Sequence, residues 1–384
     1  MKKGSTKHNE EWIPISSTSF DKKEFLKVLD TASTHHFFND VSKVEKFEDQ
    51  LKISIETDKE VVCLSSGTAA IHLALLLAGV QKDDYVLCQS FTYIASVNPV
   101  LYIGAKPIFI DSNHLDWNLD IDLLEEAIAD LKKKNIHPKA LIAVNNYGMP
   151  SDIVRIQKIC EQEGIELIED AAESLGSAFN HTFSGTKGSY GVFSFNNNKI
   201  FSTGGGGALV CKDTEEKNKA LYLASQARVQ GTGYTHHVVG YNYRLSNIQA
   251  TLGLSQLSSL NQNIEQRIRT NQFYQGLFKN TQEVEVFKEP SKSYQSNHWL
   301  TCILVKTTDT FDKNKLQKMM YDHFIETRPL WKPMHLQPLF KNTLFYSNGI
   351  SDKFLEQGLC LPSGSNLTDS DLSRIATVIE EFLS

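Results

Sequence analysis

"SFNNNKIFSTGGGGALV", residues 194–210, sets one lysine, Lys199, between three asparagines and four consecutive glycines. Lysine is ordinarily a solvated surface residue, and a run of glycines costs backbone entropy on folding. A partly desolvated amine is a good imine-forming nucleophile. The glycines would let the returning strand pass close to a flat ligand. A solvated lysine beside a flexible turn has the same residues, so the rest of the chain must decide.

Outward from that stretch, strand-like and helix-like runs alternate. "EVVCL" (60–64) precedes a helix expected over about 69–78, with Gly79 as its stop. "DYVLC", "KPIFID", "KALIAV" and "IELIED" read as strands. "DIDLLEEAIADLKKK" and "SDIVRIQKICEQEG" between them read as helices, the second with a serine cap and a terminal glycine. This rhythm predicts an α/β fold with a mostly parallel central sheet and helices on both faces. Past Asn242 one long helix is expected over about 245–278, followed by a mixed segment and a final amphipathic helix, "DLSRIATVIEEFL". The division expected is a large α/β domain over 1–260 and a smaller C-terminal α/β domain over 261–384.

Composition narrows the function classes. The chain has 384 residues and a net charge of -6, which gives no electrostatic reason to bind nucleic acid or an anionic membrane. The start, "MKKGSTKHNEEWIP", lacks the apolar stretch of a signal peptide, and "AAIHLALLLAGV" is too short to span a bilayer. Six dispersed cysteines form no CxxC pair, so no metal site is expected and reduced thiols of a cytoplasmic protein are.

Ligands of open α/β sheets sit at the carboxyl ends of the strands, and three groups fall there. "SSGTAA" (65–70) follows a strand and opens a helix, where backbone N–H groups make a phosphate seat; a plain capped helix start has the same residues. Asp170 ends "IELIED" and would need a cationic partner if buried, or would cap a helix, with Glu173 completing a capping box. Lys199 is the third. A phosphate seat, a carboxylate for a ring nitrogen and an imine-forming lysine are the parts that pyridoxal phosphate requires.

With these residues in view, the sequence resembles the DegT/DnrJ/EryC1/StrS family of pyridoxal phosphate-dependent sugar aminotransferases. The likeness is carried by "SSGTAAIHLAL", "FTYIASVNPVLYIGAKPIFID", "IEDAAESLGS", "FSFNNNKIFSTGGGGALV" and "GYNYRLSNIQATLGLSQL", in family order. It implies aminotransferase fold type I, with pyridoxal 5'-phosphate as cofactor. Lys199 would be the Schiff-base lysine and Asp170 the partner of the pyridine nitrogen. Gly67, Thr68 and Ala69 would hold the phosphate with Ser194, Tyr93 would stack on the ring, and Glu173 would lie near the cofactor. Asn242 would reach the phosphate of a neighbouring subunit, so a homodimer with shared active sites is implied. Dehydratase members carry histidine in place of the lysine, so Lys199 favours transamination. Many relatives have a glutamate among the glycines after the lysine; Gly204–Gly207 are uninterrupted here, and no role passes to an absent acid.

"IETRPLWKPMH" and "GLCLPSGSNLTDSDL" carry a finer likeness, to the bacillosamine branch of the family. That branch implies transfer of the amino group of L-glutamate to C4 of a UDP-4-keto-6-deoxy-N-acetylhexosamine for glycan biosynthesis. Arg328, Trp331 and His335 would then contact the substrate, with Arg244 either a further contact or a loop-structuring residue. The alternatives are an aminotransferase for a dTDP- or GDP-linked keto sugar, acting at C3 or C4, and a non-catalytic cofactor-binding regulator.

Overall fold

The structure, a computed structural model, describes residues 11–17, 26, 28–30, 41–229, 231, 233–307 and 312–384. Its first half builds strands β1 (Glu60–Leu64), β2 (Tyr85–Gln89), β3 (Lys106–Ile110), β4 (Ala140–Val144) and β5 (Glu166–Asp170). A short hairpin, β6 (Ala178–Phe179) and β7 (Thr182–Phe183), precedes β8 (Tyr190–Ser194) and β9 (Gly207–Cys211). Helix α1 (Ser42–Ser54) precedes them, α2 (Gly67–Leu77), α3 (Asn98–Ile103), α4 (Ile121–Lys133) and α5 (Ile153–Glu163) lie between them, and α6 (Thr214–Ala224) follows.

The large sheet has eight strands in the order β1-β9-β8-β5-β4-β2-β3-β14, where β14 is Phe345–Tyr346. Only β9 is antiparallel to its neighbours; β8, β5, β4, β2, β3 and β14 pair in parallel. Because β9 runs against both β1 and β8, those two point the same way, and their carboxyl ends reach the same edge as that of β5. The fully buried run of β4, Ala140–Val144, is what a strand covered on both faces requires. One apolar cluster joins the sheet to α2 and α3, through Leu73, Val86, Val100 and Ile142. Another joins it to α4 and α5, through Leu87, Leu124, Leu141 and Ile156. The expected α/β architecture, a mostly parallel sheet with helices on both faces, is the one observed.

Local chemistry explains the element ends. Ser66 Oγ accepts from Ala69 N at 3.0 Å and caps α2. The expected serine cap of α5 is instead Asp152, which accepts from Arg155 N, because Ser151 is held by Asn145 Oδ1. The long helix expected over 245–278 is two, α7 (Asn247–Leu257) and α8 (Leu260–Leu277), interrupted at Ser258 and Ser259. Ser246 starts α7 with a full capping box.

The remaining elements are β10 (Val284–Val286), β11 (Tyr294–Gln295), β12 (Thr301–Val305), α9 (Lys313–Asp322), β13 (Arg328–Pro329), α10 (Ile350–Gln357), β15 (Gly358–Leu361) and α11 (Asp369–Leu383). A second sheet, β10-β12-β15-β13, is antiparallel and packs on α9 and α11 through Leu316, Ile375 and Ile379. β11 pairs with the β6–β7 hairpin. Two threads tie the sheets together: β14 returns from the C-terminal part to the edge of β3, and the N-terminal Ile13 bridges Ile325. Among the described residues no helix is long and apolar enough to cross a membrane, and no group of three or more His, Cys, Asp or Glu could hold a metal.

Candidate active site

A cavity of about 430 Å³ opens where β1, β4, β5 and β8 end. Ser65, Ser66, Gly67 and Thr68 line it from the first strand, Val144 and Asp170 from the middle of the sheet, and Ser194 from β8. These are the positions at which an open α/β sheet presents its loops and helix starts to a ligand.

At one end of the cavity α2 begins. The first N–H groups of a helix have no intrahelical acceptor and carry the positive end of the dipole. Ala69 N is taken by Ser66 Oγ, and Ala69 does not line the cavity. Gly67 and Thr68 do, beside Ser194. The approach is close: a Cβ added at Gly67 would lie 3.1 Å from Ser194 Cβ, and one added at Gly207 would lie 2.5 Å from Gly67 N. The glycine run after Lys199 thus lets β9 pass against the start of α2.

Asp170, 3% exposed, ends β5. Its Oδ2 accepts from Ser96 Oγ at 2.7 Å and its Oδ1 from Ala172 N at 3.1 Å. No helix follows it, so it caps a turn. Burial pushes its carboxyl above the ordinary range, against the pull of those hydrogen bonds and of the Lys199 charge. A carboxylate so placed gains from a cation on its cavity side.

Lys199 Nζ lies 3.2 Å from Glu173 Oε1 and 4.1 Å from the centre of the Trp299 ring. Glu173 Oε2 accepts from Tyr147 N at 2.8 Å, so this acid joins two segments and completes no capping box. Burial raises the Glu173 carboxyl as well, while Lys199 draws it down. Tyr147 has φ 54° and Gly148 φ 92°; this turn aims the Tyr147 N–H at the carboxylate. A Cβ at Gly148 would meet Asn297 Oδ1 at 2.0 Å.

An aromatic wall closes the other side. Tyr147, Trp331 and Trp299 lie nearly parallel, with Trp331 12° from Tyr147 and 21° from Trp299. Tyr93 is half-exposed at the rim, its ring centre 5.1 Å from that of Trp331. Trp331 N donates to Tyr147 Oη at 2.8 Å, and Trp299 Nε1 to Asn198 O at 2.7 Å, beside the lysine. Trp331 Nε1 and Asn198 Oδ1 are buried polar atoms that have no partner among the described residues.

The cavity therefore gathers Lys199, Asp170, Glu173, Gly67, Thr68, Ser194, Tyr93, Arg328 and Trp331. Besides Ala69, whose N–H is already taken by Ser66, three expected residues lie elsewhere. Asn242 is exposed and its main chain bridges Ser225. Arg244 lines a separate cleft of about 1000 Å³, with Arg228, Tyr222 and the start of α7. His335 is outside the cavity because its ring is engaged by Ser90 Oγ, Asp352 and a 3.9 Å stack on Phe345. Sequence reading gave no role to Ser96, Tyr147, Asn198 or Trp299. Only Tyr147 carried a signal, as it follows the strand "KALIAV" and precedes a glycine.

These residues fit a phosphorylated pyridinium aldehyde. A glycine-lined helix start suits its phosphate, a buried acid its protonated ring nitrogen, an amine its aldehyde, and an aromatic wall bears orphaned polar atoms.

Several known proteins are similar in sequence along most of this chain. EpsN of Bacillus subtilis (strain 168), which bears the name of a pyridoxal phosphate-dependent aminotransferase, is 42% identical over 88% of this chain and 87% of its own. GDP-perosamine synthase of Escherichia coli O157:H7 is 33% identical over 97% and 99%. UDP-4-amino-4,6-dideoxy-N-acetyl-beta-L-altrosamine transaminase of Campylobacter jejuni is 30% identical over 81% and 77%. The crystal structure of a DegT DnrJ EryC1 StrS aminotransferase from Brucella abortus superposes with a TM-score of 0.84 at 27% identity, covering 94% of each chain. A family profile matches residues 19–380, and the chain belongs to the DegT/DnrJ/EryC1/StrS aminotransferase family.

Proposed function

We propose that this protein uses pyridoxal 5'-phosphate to move the amino group of L-glutamate to C4 of a UDP-4-keto-6-deoxy-N-acetylhexosamine. The observation that carries the chemistry is the convergence of Lys199, Asp170 and the start of α2 on one cavity. The choice of acceptor rests on the likeness of the C-terminal segments and on the UDP-sugar transaminase among the relatives. A GDP-linked keto sugar is the second reading, favoured by the 33% identity to GDP-perosamine synthase.

When bound, pyridoxal phosphate supplies an electron-accepting ring that stabilises negative charge at the amine-bearing carbon. The chain's own residues do the rest. Gly67 and Thr68 N–H, with Ser194, bind the phosphate. The Asp170 carboxylate, oriented by Ser96 and Ala172, holds a proton on the ring nitrogen by its charge. Lys199 Nζ would take the proton from the amine-bearing carbon of glutamate in the first half-reaction and give a proton to C4 of the acceptor sugar in the second. Glu173 Oε1 orients that amine, and Tyr147 N fixes Glu173. Tyr93 would contact the ring and Trp331 the sugar, and Arg328 would take an anionic group of a substrate. Asn242, away from this cavity, serves the cavity of a second copy in a homodimer. The buried free thiols fit a reducing compartment, and we assign the protein to the cytoplasm.

Two measurements test this reading. Borohydride reduction of protein saturated with pyridoxal phosphate, followed by peptide mapping, should leave a pyridoxyl mass on Lys199; an adduct only elsewhere overturns the lysine assignment. Incubation with glutamate and a panel of UDP-, dTDP- and GDP-linked keto sugars should yield an amino sugar from the UDP-N-acetyl acceptor first. Amination of the GDP sugar alone would transfer the assignment to the second reading. Absence of any amination would leave a cofactor-binding protein without transfer activity.

A further inference from the structure

We propose that Glu326 is a positioning residue that sets the Arg328 guanidinium at the cavity wall for a substrate oxyanion, and that the main chain of Ile15 holds Glu326 in place. The inference rests on the reading above of Arg328 as an anion contact. It concerns a residue, and an N-terminal strap, to which neither sequence reading nor the family likeness gave a role.

Arg328 sits on β13, the edge of the small sheet, where its main chain pairs with Cys360. Among the described residues that line the cavity it is the one arginine. Arginine side chains on a surface sample many rotamers, and an isolated exposed pair contributes little. Here the geometry is over-determined. Arg328 Nε donates to Glu326 Oε1 at 2.7 Å, and Nη2 lies 2.5 Å from the same oxygen. The other oxygen, Oε2, accepts from Ile15 N at 2.8 Å. Glu326 is thus fixed at both oxygens and aligns the guanidinium through two of its nitrogens, leaving donors of the fork for a ligand.

The strap is itself anchored. Ile13 N donates to Phe324 O at 2.9 Å, Glu326 N donates to Ile13 O at 2.8 Å, and Ser363 N donates to Ile15 O at 2.8 Å. Ile13 and Ile15 are both buried. The next residue touches the opposite side of the site: Ser16 Oγ donates to Asn198 O at 2.9 Å and accepts from the buried Arg267 Nη2 at 3.1 Å. Residues 15 and 16 therefore span from the arginine of the cavity wall to the residue before Lys199.

A guanidinium aligned in this way takes an oxyanion, a carboxylate or a phosphate. The amino-acid donor supplies the first and a nucleotide sugar the second. Glu326→Gln keeps an acceptor and the side-chain volume but removes the charge that aligns the arginine. Steady-state KM and kcat should be measured for glutamate and for the keto sugar separately, with Glu326→Gln, Arg328→Gln and the double variant, all as cofactor-loaded protein. KM for one of the two substrates should rise about tenfold in Glu326→Gln, the order expected when one charge-assisted contact is misplaced. The change in kcat should be smaller. The substrate affected names the oxyanion: glutamate for a carboxylate, the sugar for a phosphate. Arg328→Gln should raise the same KM, and the double variant should be no worse than Arg328→Gln alone. An Arg328→Gln defect with Glu326→Gln unchanged, or fully additive effects, would overturn the positioning role and leave the arginine contact intact. No KM change in Arg328→Gln would overturn the contact and this proposal together. An equal fall of kcat with both substrates, accompanied by a lowered Tm, would make Glu326 merely structural.

Discussion

Ser96 Oγ donates a 2.7 Å hydrogen bond to Asp170 Oδ2, and both residues are buried at the carboxyl end of the large sheet. Burial raises the Asp170 carboxyl and this bond opposes the rise. Ser96→Ala therefore makes Asp170 harder to ionise. In the role proposed for Asp170 the acid works ionised, so the acidic limb of the pH–rate profile should move to higher pH, and the rate below that limb should fall by about tenfold. A profile with an unmoved acidic limb would show that the serine does not tune the acid.

The glycines after Lys199 should respond very differently to a methyl group. Gly204 has φ 74° and open space around its missing Cβ, so Gly204→Ala should cost about 1 kcal/mol of stability and leave cofactor affinity near normal. At Gly207 a Cβ would press on Gly67 N at 2.5 Å and Phe193 O at 2.6 Å. Gly207→Ala should weaken cofactor binding by about tenfold or more, because it displaces the start of α2. Titration of the two apo variants with pyridoxal phosphate checks the contrast.

Glu173→Gln should separate fold from chemistry. The amide oxygen can still accept from Tyr147 N, so Tm should stay close to that of the parent. Loss of the charge beside Lys199 Nζ should lower kcat by about tenfold or more. Glu173→Ala strands the buried Tyr147 N–H as well and should also lower stability, by about 1–3 kcal/mol. Thermal melts and glutamate-driven turnover of both variants test the pair.

Asp116 offers a pH test away from the cavity. Burial pushes its carboxyl up to about 6, although Asn113 Nδ2 donates at 2.6 Å and Asn118 N at 3.0 Å. A buried acid with a raised value favours the folded state fully only while protonated. Its ionisation cost enters as pH rises from about 4, the unfolded value, to about 6, and is constant above. Asp116→Asn keeps the Oδ1 acceptor for Asn113 and Asn118 and puts an amide nitrogen, which can donate, opposite Tyr294 Oη at 3.4 Å, so its stability relative to the parent should increase across that window, by at most about 3 kcal/mol at pH 7. Denaturant melts at several pH values would show a flat difference if the acid were not raised.

How far the sequence could be read depended on how local each cause was. "EVVCL" became β1 at its expected residues, and the acid after "IELI" proved buried, because apolar runs and strand ends are local signals. The break at Ser258–Ser259 was hidden inside a continuous helical pattern. Lys199 and Asp170 stood out because glycine runs and strand-terminal acids are unusual. Trp299 and Tyr147 did not. Each depends on a positive φ nearby, 54° at Tyr147 and 47° at His298, that aims a ring across forty or more residues of intervening chain. Glu326 looks like any surface acid until Ile15 is brought to it from the far end of the sequence.

The pairing of Phe345–Tyr346 with β3 has a consequence for how the molecule is made. Asp111, at the end of β3, accepts from Asn348 N and Gly349 N and pins this late arrival in place. A ribosome translating the protein thus carries a sheet with one raw edge until residue 346 has cleared its exit tunnel, an edge able to recruit strands from neighbouring chains. Fragments ending before that point should clump during synthesis, however complete Lys199 and its surroundings.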